Sequence, residues 1–261
     1  MGRFSETPAS PESRCATMRN VIVTGGSRGL GLGIARKLIN AHFRAIVIAR
    51  KQGEELAAAI NATEQTHPDA LHFVPFDLAQ IEAIPDLVKK LRKQFGPIYG
   101  LVNNAAMSID GVLALTSTHQ IEQGIRLNTT SPIVLTKYVA RFMMSDGGGR
   151  IVNISSIVAS SGYSGLSVYA ATKASMVGFT RSLAREVGRA DINVNAVAPG
   201  FVETEMTSGL SPEDRTKIAR RSALRRLVEV DDVANAVEFL MSEGSKSITG
   251  TVITVDAGST A

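Results

Sequence analysis

A tyrosine and a lysine four residues apart are the first candidates for chemistry in this sequence. They are Tyr169 and Lys173, in the stretch SVYAATKAS. In a helix this spacing places the phenol and the ammonium on one face, one turn apart. A cation beside a phenol stabilises the phenolate, so the pair suits proton transfer. Chance spacing on a helix surface gives the same pattern, and the surrounding elements have to decide between the two interpretations.

The composition excludes several classes of protein. The chain has 261 residues, 44% hydrophobic and 20% charged, enough for one large α/β domain or two small ones. No apolar run approaches the roughly 18–20 residues of a membrane helix. The net charge of +4 suits an anionic ligand but not a nucleic-acid surface. The four histidines show no metal-ligand spacing, and the single cysteine fits a reducing, cytoplasmic environment.

The first eighteen residues, MGRFSETPASPESRCATM, are rich in Ser, Pro and Glu and have no periodicity. A signal peptide needs an apolar segment, which this stretch lacks. We expect residues 1–18 to be a disordered leader, or a stretch that precedes a true start at Met18.

From Arg19 onward, short β-branched apolar runs alternate with amphipathic runs of helical spacing. Strands this continuously apolar are covered on both faces, which predicts a single domain over residues 19–261. Its fold would be a Rossmann-type, doubly wound α/β sheet of about seven parallel strands with helices on both faces. Such sheets bind ligands beyond the carboxyl ends of their strands. The strand-like runs are NVIVTG, FRAIVIAR, LHFVPFD, IYGLVNNA, RIVNISS, INVNAVAPG and TVITVDAG; the helical runs are LGIARKLINA, GEELAAAINATEQ, IPDLVKKLRKQF, QIEQGIRLNTTSPIVLTKYVARFMM, ASMVGFTRSLAREVG and VDDVANAVEFLMS.

The first strand continues into a glycine-rich turn, VIVTGGSRGLG. Its glycines have G-x-x-x-G-x-G spacing, and their missing side chains let backbone N–H groups approach a pyrophosphate at the start of the next helix. An ordinary strand-to-helix turn is the alternative, but the position after the first strand favours a dinucleotide. The predicted contacts here are Thr24, Gly25, Ser27, Arg28, Gly29, Leu30 and Gly31.

The end of the second strand favours NADPH over NADH. A carboxylate at this point would bind a free ribose hydroxyl, but the sequence reads VIARK, with Ala49 and then Arg50. Arg50 and Arg28 could hold a 2′-phosphate through charge-assisted hydrogen bonds, unless both are merely solvated. After the third strand, Asp77 could accept from the adenine amino group or simply cap a turn, and Leu78 follows it.

Five motifs together resemble the short-chain dehydrogenase/reductase family. They are TGGSRGLG, VNNAA, IVNISS, YAATK and NAVAPGFVET, in the family's order and spacing, and the similarity covers residues 19 to about 259. The sequence looks most similar to the 3-oxoacyl-(acyl-carrier-protein) reductase branch. The resemblance implies that the tyrosine–lysine pair is catalytic.

Four residues match the family's catalytic positions: Asn128, Ser156, Tyr169 and Lys173. The resemblance implies that Tyr169 is the general acid of carbonyl reduction, and that Ser156 rather than the neighbouring Ser155 donates to the carbonyl oxygen. Lys173 would hold the nicotinamide ribose. Its ammonium and the nicotinamide's charge would lower the phenol pKa by about three units, worth ~4 kcal/mol. Asn128 would bind a water that connects Lys173 to solvent. The resemblance also implies cofactor contacts at Asn104, Ala105, Pro199, Gly200, Val202 and Thr204.

Two positions depart from the family's pattern. The usual Asn-Asn-Ala-Gly ends here in Ala106, and the usual Val-Asp-Gly-Gly has Ala257 as its third residue. We expect the change at Ala106 to be tolerated, unless its backbone needs dihedral angles that only glycine reaches easily.

These features predict an NADPH-dependent ketone reductase that uses no metal. The resemblance favours a 3-oxoacyl thioester, in which case an acyl carrier protein is a candidate partner; a sugar, a polyol or another small carbonyl stays open. A binding protein without turnover, or a structural subunit, is disfavoured because all four catalytic residue types are present. We expect residues 204–227 to form a mobile lid that sets specificity.

The sequence gives mixed indications about partners. The turn SDGGGR lacks the basic residues that the branch often carries there, which argues against an acidic carrier protein. Five arginines could meet a carrier protein or a pantetheine phosphate, unless they are solvated helix charge: Arg189, Arg220, Arg221, Arg225 and Arg226. By resemblance we also expect a homotetramer, in which apolar side chains of the tyrosine helix pack against another subunit. These side chains are Met176, Val177, Phe179 and Leu183.

Overall fold

Seven parallel strands form one sheet in the computed structural model, which describes residues 18–203 and 211–261. The strand order is β3-β2-β1-β4-β5-β6-β7, and every neighbouring pair is parallel, as the sequence predicts. The expected leader lies outside the described residues, apart from Met18. The strands are β1 (Arg19–Thr24), β2 (Phe43–Ala49), β3 (Leu71–Pro75), β4 (Ile98–Asn103), β5 (Gly149–Ile154), β6 (Ile192–Pro199) and β7 (Val252–Val255).

Helices cover both faces of the sheet, which confirms the doubly wound architecture. Helices α1, α2 and α9 bury side chains on one face, and α3, α5 and α7 on the other. None of the helices within the described ranges is long and apolar enough to cross a membrane. The helices are α1 (Gly29–Asn40), α2 (Gly53–Thr66), α3 (Ile84–Phe95), α4 (Thr118–Ile125), α5 (Ser131–Asp146), α6 (Val158–Ser161), α7 (Ser167–Val187), α8 (Pro212–Arg221) and α9 (Val230–Met241).

The strands are apolar on both sides because each side meets a helix layer. In β1, Val21 and Val23 face α1 and α9, whereas Ile22 between them joins the opposite core. The chain connections reverse direction on the two sides of β1, which lies between β2 and β4. This reversal leaves a crevice at the carboxyl ends of β1 and β4, where ligands of such sheets bind.

The helical run predicted over residues 120–144 is present, but it is not a regular α-helix throughout. A π-helical turn (Arg126–Thr130) separates α4 from α5. Pro132, in the first turn of α5, has no N–H to donate to the carbonyl of Asn128, so the regular α-helical ladder cannot run through this point. The turn is a widened segment of a kind that is common at functional sites.

The two alanines at family glycine positions behave differently. Ala106 is not among the described residues with positive φ, so its backbone does not need the dihedral angles that glycine reaches more easily. Ala257 has a φ of 54°, in the left-handed region that disfavours any residue with a Cβ. The departure from the family at Ala257 therefore costs backbone strain.

We predict that Ala257→Gly raises the free energy of unfolding by about 0.5–1 kcal/mol. Removing the Cβ relieves about 1–2 kcal/mol of left-handed strain, which exceeds the roughly 0.5–1 kcal/mol of extra entropy that glycine loses on folding. Urea denaturation followed by circular dichroism measures the change. Ala106→Gly is the matched control and should lower stability, since it brings the entropy cost without the relief. Equal destabilisation by both changes would contradict the strain argument.

Candidate active site

The ammonium of Lys173 joins α7 to the end of β5. Its side chain is buried, and its Nζ donates to the carbonyl oxygen of Ile154, the last residue of β5, over 2.8 Å. Ser155 follows in the chain and donates from its Oγ to the carbonyl oxygen of Lys173 over 2.9 Å. These two hydrogen bonds hold one turn of α7 against the carboxyl end of β5. We refer to this contact between Ile154, Ser155 and Lys173 as the β5–α7 joint.

The two other candidate catalytic residues, Tyr169 and Ser156, belong to the same two elements. Its Nζ is 5.6 Å from the centroid of the Tyr169 ring, one turn earlier in α7. Ser156 is the residue after the buried Ser155; it is partly exposed, and its Oγ accepts from the N–H of Val158 over 3.4 Å. The structure thus gives Ser155 a packing role and leaves the hydroxyl of Ser156 at the cleft.

Asn128 lies in the π-helical turn and its side-chain amide is fully engaged. The Oδ1 accepts from the N–H of Met107 over 2.9 Å, and the Nδ2 donates to the Met107 carbonyl over 2.8 Å. The Nδ2 also contacts the Oγ1 of Thr172 over 3.2 Å, and that hydroxyl donates to the carbonyl of Tyr169 over 2.8 Å. The side chain therefore fixes the loop after β4 against α7. The family resemblance implies a water bound at Asn128. Because the side-chain amide is engaged and Pro132 has no N–H to donate, this water would bind the backbone carbonyl oxygen of Asn128.

Burial shifts the pKa values of both members of the pair. Two effects raise the pKa of Tyr169 to about 12: burial, which is the larger, and the nearby carboxylate of Asp110. Burial lowers the pKa of Lys173 to about 8. The protein by itself thus raises the phenol pKa of Tyr169, whereas the resemblance implied a lowered one. The reason is that burial removes solvation from the phenolate and from the ammonium. At neutral pH the phenol keeps its proton, as a general acid must.

The glycine turn after β1 is tied to the turn after β4. The Oγ1 of Thr24 accepts from the N–H groups of Asn104 and Ala105 over 2.9 and 3.0 Å, and the Asn104 Nδ2 donates to the Thr24 carbonyl over 2.9 Å. A Cβ at Gly31 would collide with the carbonyl oxygen of Gly25, and Gly25 itself has a φ of +68°. Both glycines are therefore required by the close packing of this turn.

The start of α1 fits an anionic group. Within the described chain, no side chain caps this helix end, and its first turn holds no acidic residue. Its N–H groups and the positive end of the helix dipole are thus available to a phosphate. Ser27, Arg28, Gly29 and Leu30 form this end, and Ser27 also lies close to Gly53 at the start of α2.

Arg50 lies at the end of β2, where the sequence predicts the 2′-phosphate contact. Its side chain is exposed and has no ion pair among the residues that the structure describes. Arg28 is exposed as well. These donors fit a phosphorylated dinucleotide, which would bring the opposite charge.

The remaining predicted cofactor residues lie at the carboxyl edge of the sheet, with one exception. Asp77 accepts from the N–H of Ala79 over 3.0 Å, the capping role that the sequence left open, and Leu78 is buried next to it. Around the end of β6, Gly200 donates to the Val255 carbonyl over 2.8 Å, and Val202 is buried. The carbonyl of Pro199 accepts from the N–H of Ile157 over 3.0 Å. Thr204 lies outside the described residues, as does the start of the expected lid.

Sequence reasoning missed a buried polar network beneath the site. Asn103 in β4 donates to Asn153 in β5 over 2.8 Å and to Thr136 in α5 over 2.9 Å, and Asn153 donates to Thr180 in α7 over 2.8 Å. Asparagines within apolar strand runs are the signal that was available, since buried amides need partners. Asp110 had no such signal, because it is far from Tyr169 in the chain.

The comparisons with known proteins agree with this geometry. A family profile described as enoyl-(acyl carrier protein) reductase matches residues 24–260. The 3-oxoacyl-[acyl-carrier-protein] reductase FabG of Escherichia coli is 40% identical over 237 residues, which cover 91% of this chain and 95% of that protein. The 3-oxoacyl-[acyl-carrier-protein] reductase of Homo sapiens is 39% identical over 236 residues, which cover 90% and 95%.

Solved structures share the fold at lower identity. A gluconate 5-dehydrogenase from Burkholderia cenocepacia, in complex with NADP and tartrate, has a TM-score of 0.87 and 28% identity, with 93% of this chain and 95% of that one covered. A putative short-chain alcohol dehydrogenase from Sinorhizobium meliloti has a TM-score of 0.87 and 30% identity, with 92% and 96% covered.

Fold, site and relatives together define an oxidoreductase that uses a nicotinamide cofactor and acts on CH–OH or C=O groups. The chain belongs to the short-chain dehydrogenase/reductase family.

We predict that raising the pH from 8 to 10 stabilises the protein through Lys173. Across this range the folded lysine, with a pKa of about 8, gives up its proton while the unfolded one, with an ordinary pKa of 10.5, mostly keeps it. The unfolded state then binds more protons, so stability rises with pH, by about 2 kcal/mol for this shift. Urea denaturation at pH 8 and 10 measures the gain.

Lys173→Met is the control for the pH effect. It removes the buried ammonium and leaves the other lysines unchanged, so the variant should lack the gain. The raised pKa of Tyr169 acts in the opposite direction, but only above pH ~10, where the unfolded phenol ionises first. The same pH dependence in both proteins would show that the lysine titrates normally.

Proposed function

We propose that the protein is an NADPH-dependent reductase that converts the ketone of a 3-oxoacyl thioester into a 3-hydroxyacyl product. The observation that carries this proposal is the contact at the end of β5, where the buried ammonium of Lys173 lies 5.6 Å from the ring centroid of a protonated Tyr169 and the partly exposed Ser156 follows the strand. This set of groups protonates and polarises a carbonyl oxygen, as reduction requires. The curated relatives at about 40% identity, which are 3-oxoacyl-acyl-carrier-protein reductases by name, support the thioester.

Residues of the chain would donate the proton and hydrogen-bond to the carbonyl oxygen. NADPH, when bound, supplies the hydride. Tyr169 donates its phenolic proton to the oxygen on which negative charge develops, and Ser156 donates a hydrogen bond to the same oxygen. The ammonium of Lys173 then stabilises the phenolate, and the carbonyl of Asn128 offers the first acceptor of a relay to solvent.

The choice of NADPH rests on charge at the end of β2. Ala49 stands where NAD-binding proteins of this fold place a carboxylate, and the exposed Arg50 follows it. A guanidinium there attracts a 2′-phosphate and has no equivalent use for a free hydroxyl. The positive end of α1 would receive the pyrophosphate, between Gly25 and Gly31.

A sugar or polyol is the second candidate substrate, because the solved structures at 27–28% identity include gluconate dehydrogenases by title. Exposed apolar side chains in the loops at the carboxyl edge of the sheet favour an acyl chain instead. The rings of Tyr163 and Phe201 meet edge to face at 5.6 Å, between the loop before α7 and the end of β6. The neighbouring loop after β4 exposes Val112 and Leu113, and the two loops are joined by the Gly111 N–H and Gly165 carbonyl. Apolar walls suit an alkyl tail better than hydroxyl groups.

The homotetramer expected from the family belongs to the same proposal. In α7, Val177 and Phe179 are only partly buried within one chain, whereas Met176 packs inside it. This leaves an apolar face on which a second subunit could pack.

We predict that Tyr169→Phe lowers the turnover of an acetoacetyl thioester by about 10²–10⁴-fold, because the proton donor is lost. NADPH binding, followed by fluorescence, should stay within a few-fold of the wild type, since the ring and Lys173 remain. NADPH absorbance measures turnover. A variant with near-normal turnover would remove this tyrosine from the mechanism.

The same assay separates the two substrate classes. The wild type should reduce the acetoacetyl thioester with a higher kcat/KM than 5-ketogluconate and related sugars. If only the sugars react, the thioester proposal fails while the ketone reductase stands.

We predict that the wild type prefers NADPH to NADH in kcat/KM and that Arg50→Asp reverses much of this preference. The introduced carboxylate repels the 2′-phosphate and accepts from a ribose hydroxyl. Arg36→Asp, an exposed position in α1, makes the same charge change away from the end of β2 and should keep the preference. Equal use of both cofactors by the wild type would show that Arg50 is an ordinary surface charge.

A further inference from the structure

The end of α8 and the turn that follows it present three arginines and an exposed leucine. Arg220, Arg221 and Arg225 are exposed, and 63% of the surface of Leu224 is accessible. None of the three guanidiniums has an ion pair within residues 18–203 and 211–261. We refer to these four residues as the arginine turn.

Three carboxylates of the neighbouring segments pair with other cations. Arg226 pairs with Asp232 over 2.6 Å, and Lys217 contacts Asp214 over 3.6 Å. Arg215 contacts Glu203 over 3.5 Å. The positive charge of the arginine turn is therefore not compensated by these neighbours, and a partner would meet it directly.

The arginine turn is held rigidly. Ser222 is buried, and its Oγ accepts from the Arg226 N–H over 3.2 Å and bonds to the Ala219 carbonyl over 2.8 Å. The N–H of Leu224 donates to the Ala257 carbonyl over 3.0 Å. A surface fixed in this way loses little entropy when a partner binds.

The arginine turn lies at the same edge of the sheet as the candidate active site. Ala257 follows the carboxyl end of β7, and Gly200 after β6 packs closely against the adjacent Asp256. The parallel bridge between Val202 and Val228 connects the same segments. A partner bound at the arginine turn would thus stand beside the cleft.

The turn before β5 and Arg189, the other candidate contacts for a carrier protein, lie at the opposite edge of the sheet. In the turn before β5, Asp146 pairs with Arg92 over 2.5 Å, and Gly147 and Gly148 carry no charge. Arg189 precedes β6 and lies at the amino edge of the sheet. Neither faces the edge where the reaction would occur.

We propose that the arginine turn docks the acidic carrier protein that delivers the thioester, an inference that rests on the proposed function. Three guanidiniums and an exposed leucine complement a helix that presents carboxylates and an apolar side chain. The contact would place the carrier's flexible arm at the entrance of the cleft. Three cations are too few for the extended phosphate contacts of a nucleic acid.

The test compares two forms of one substrate, acetoacetyl on an acidic acyl carrier protein and acetoacetyl-N-acetylcysteamine. Arg221→Glu/Arg225→Glu should raise the KM for the carrier-linked form at least tenfold and leave kcat/KM for the small thioester within twofold. Arg36→Glu/Lys90→Glu makes the same charge change on exposed positions of α1 and α3 and should change neither. Raised salt should weaken the wild type towards the carrier-linked form only.

The outcomes separate docking from function. If the wild type reduces the small thioester and the arginine variant keeps the wild-type KM for the carrier-linked form, the docking proposal is wrong and the proposed function stands. If the wild type reduces neither thioester, the proposed function fails and docking fails with it. Binding to vesicles of anionic lipid that the variant loses, with an unchanged KM for the carrier form, would assign the turn to a membrane and overturn the proposal.

Discussion

The burial of one ammonium group is the constraint on which the site depends. A charged lysine inside a protein is costly unless its protons find acceptors, and Lys173 has the carbonyl of Ile154 as such an acceptor. The same hydrogen bond fixes the position of α7 relative to the carboxyl end of β5. Because Tyr169 is one turn away, the position of its phenol follows from where the lysine is satisfied. Burial then determines the pKa values of both groups.

Polar groups in the interior extend this control to the rest of the molecule. The amides of Asn103 and Asn153 bridge β4, β5, α5 and α7, and Asn128 ties the loop after β4 to α7. These hydrogen bonds form in only a few orientations of the amides, so the network restricts how α7 can rotate or slide. Apolar packing alone would leave that freedom, since it is not directional. The π-helical turn fits the same logic, because it brings Asn128 into reach of the loop.

The candidate catalytic residues and the candidate recognition segments occupy different parts of this edge of the sheet. The residues of the β5–α7 joint come from the core elements, whereas the candidate recognition segments are loops and the arginine turn around them. A gluconate 5-dehydrogenase has nearly the same fold at 28% identity, so the fold does not by itself set the substrate. Core elements that must satisfy buried groups change little, and exposed loops vary without unfolding the site.

The sequence by itself determined the strand count, the doubly wound sheet and the meeting of Tyr169 and Lys173, because periodicity and helical spacing are local properties. Tertiary structure alone decided the outcomes that depend on distant neighbours. The pKa of Tyr169 rises because of its burial and Asp110, and the left-handed backbone of Ala257 arises from the fold around it. Burial, solvation and contacts between segments far apart in the chain exist only after the chain has folded.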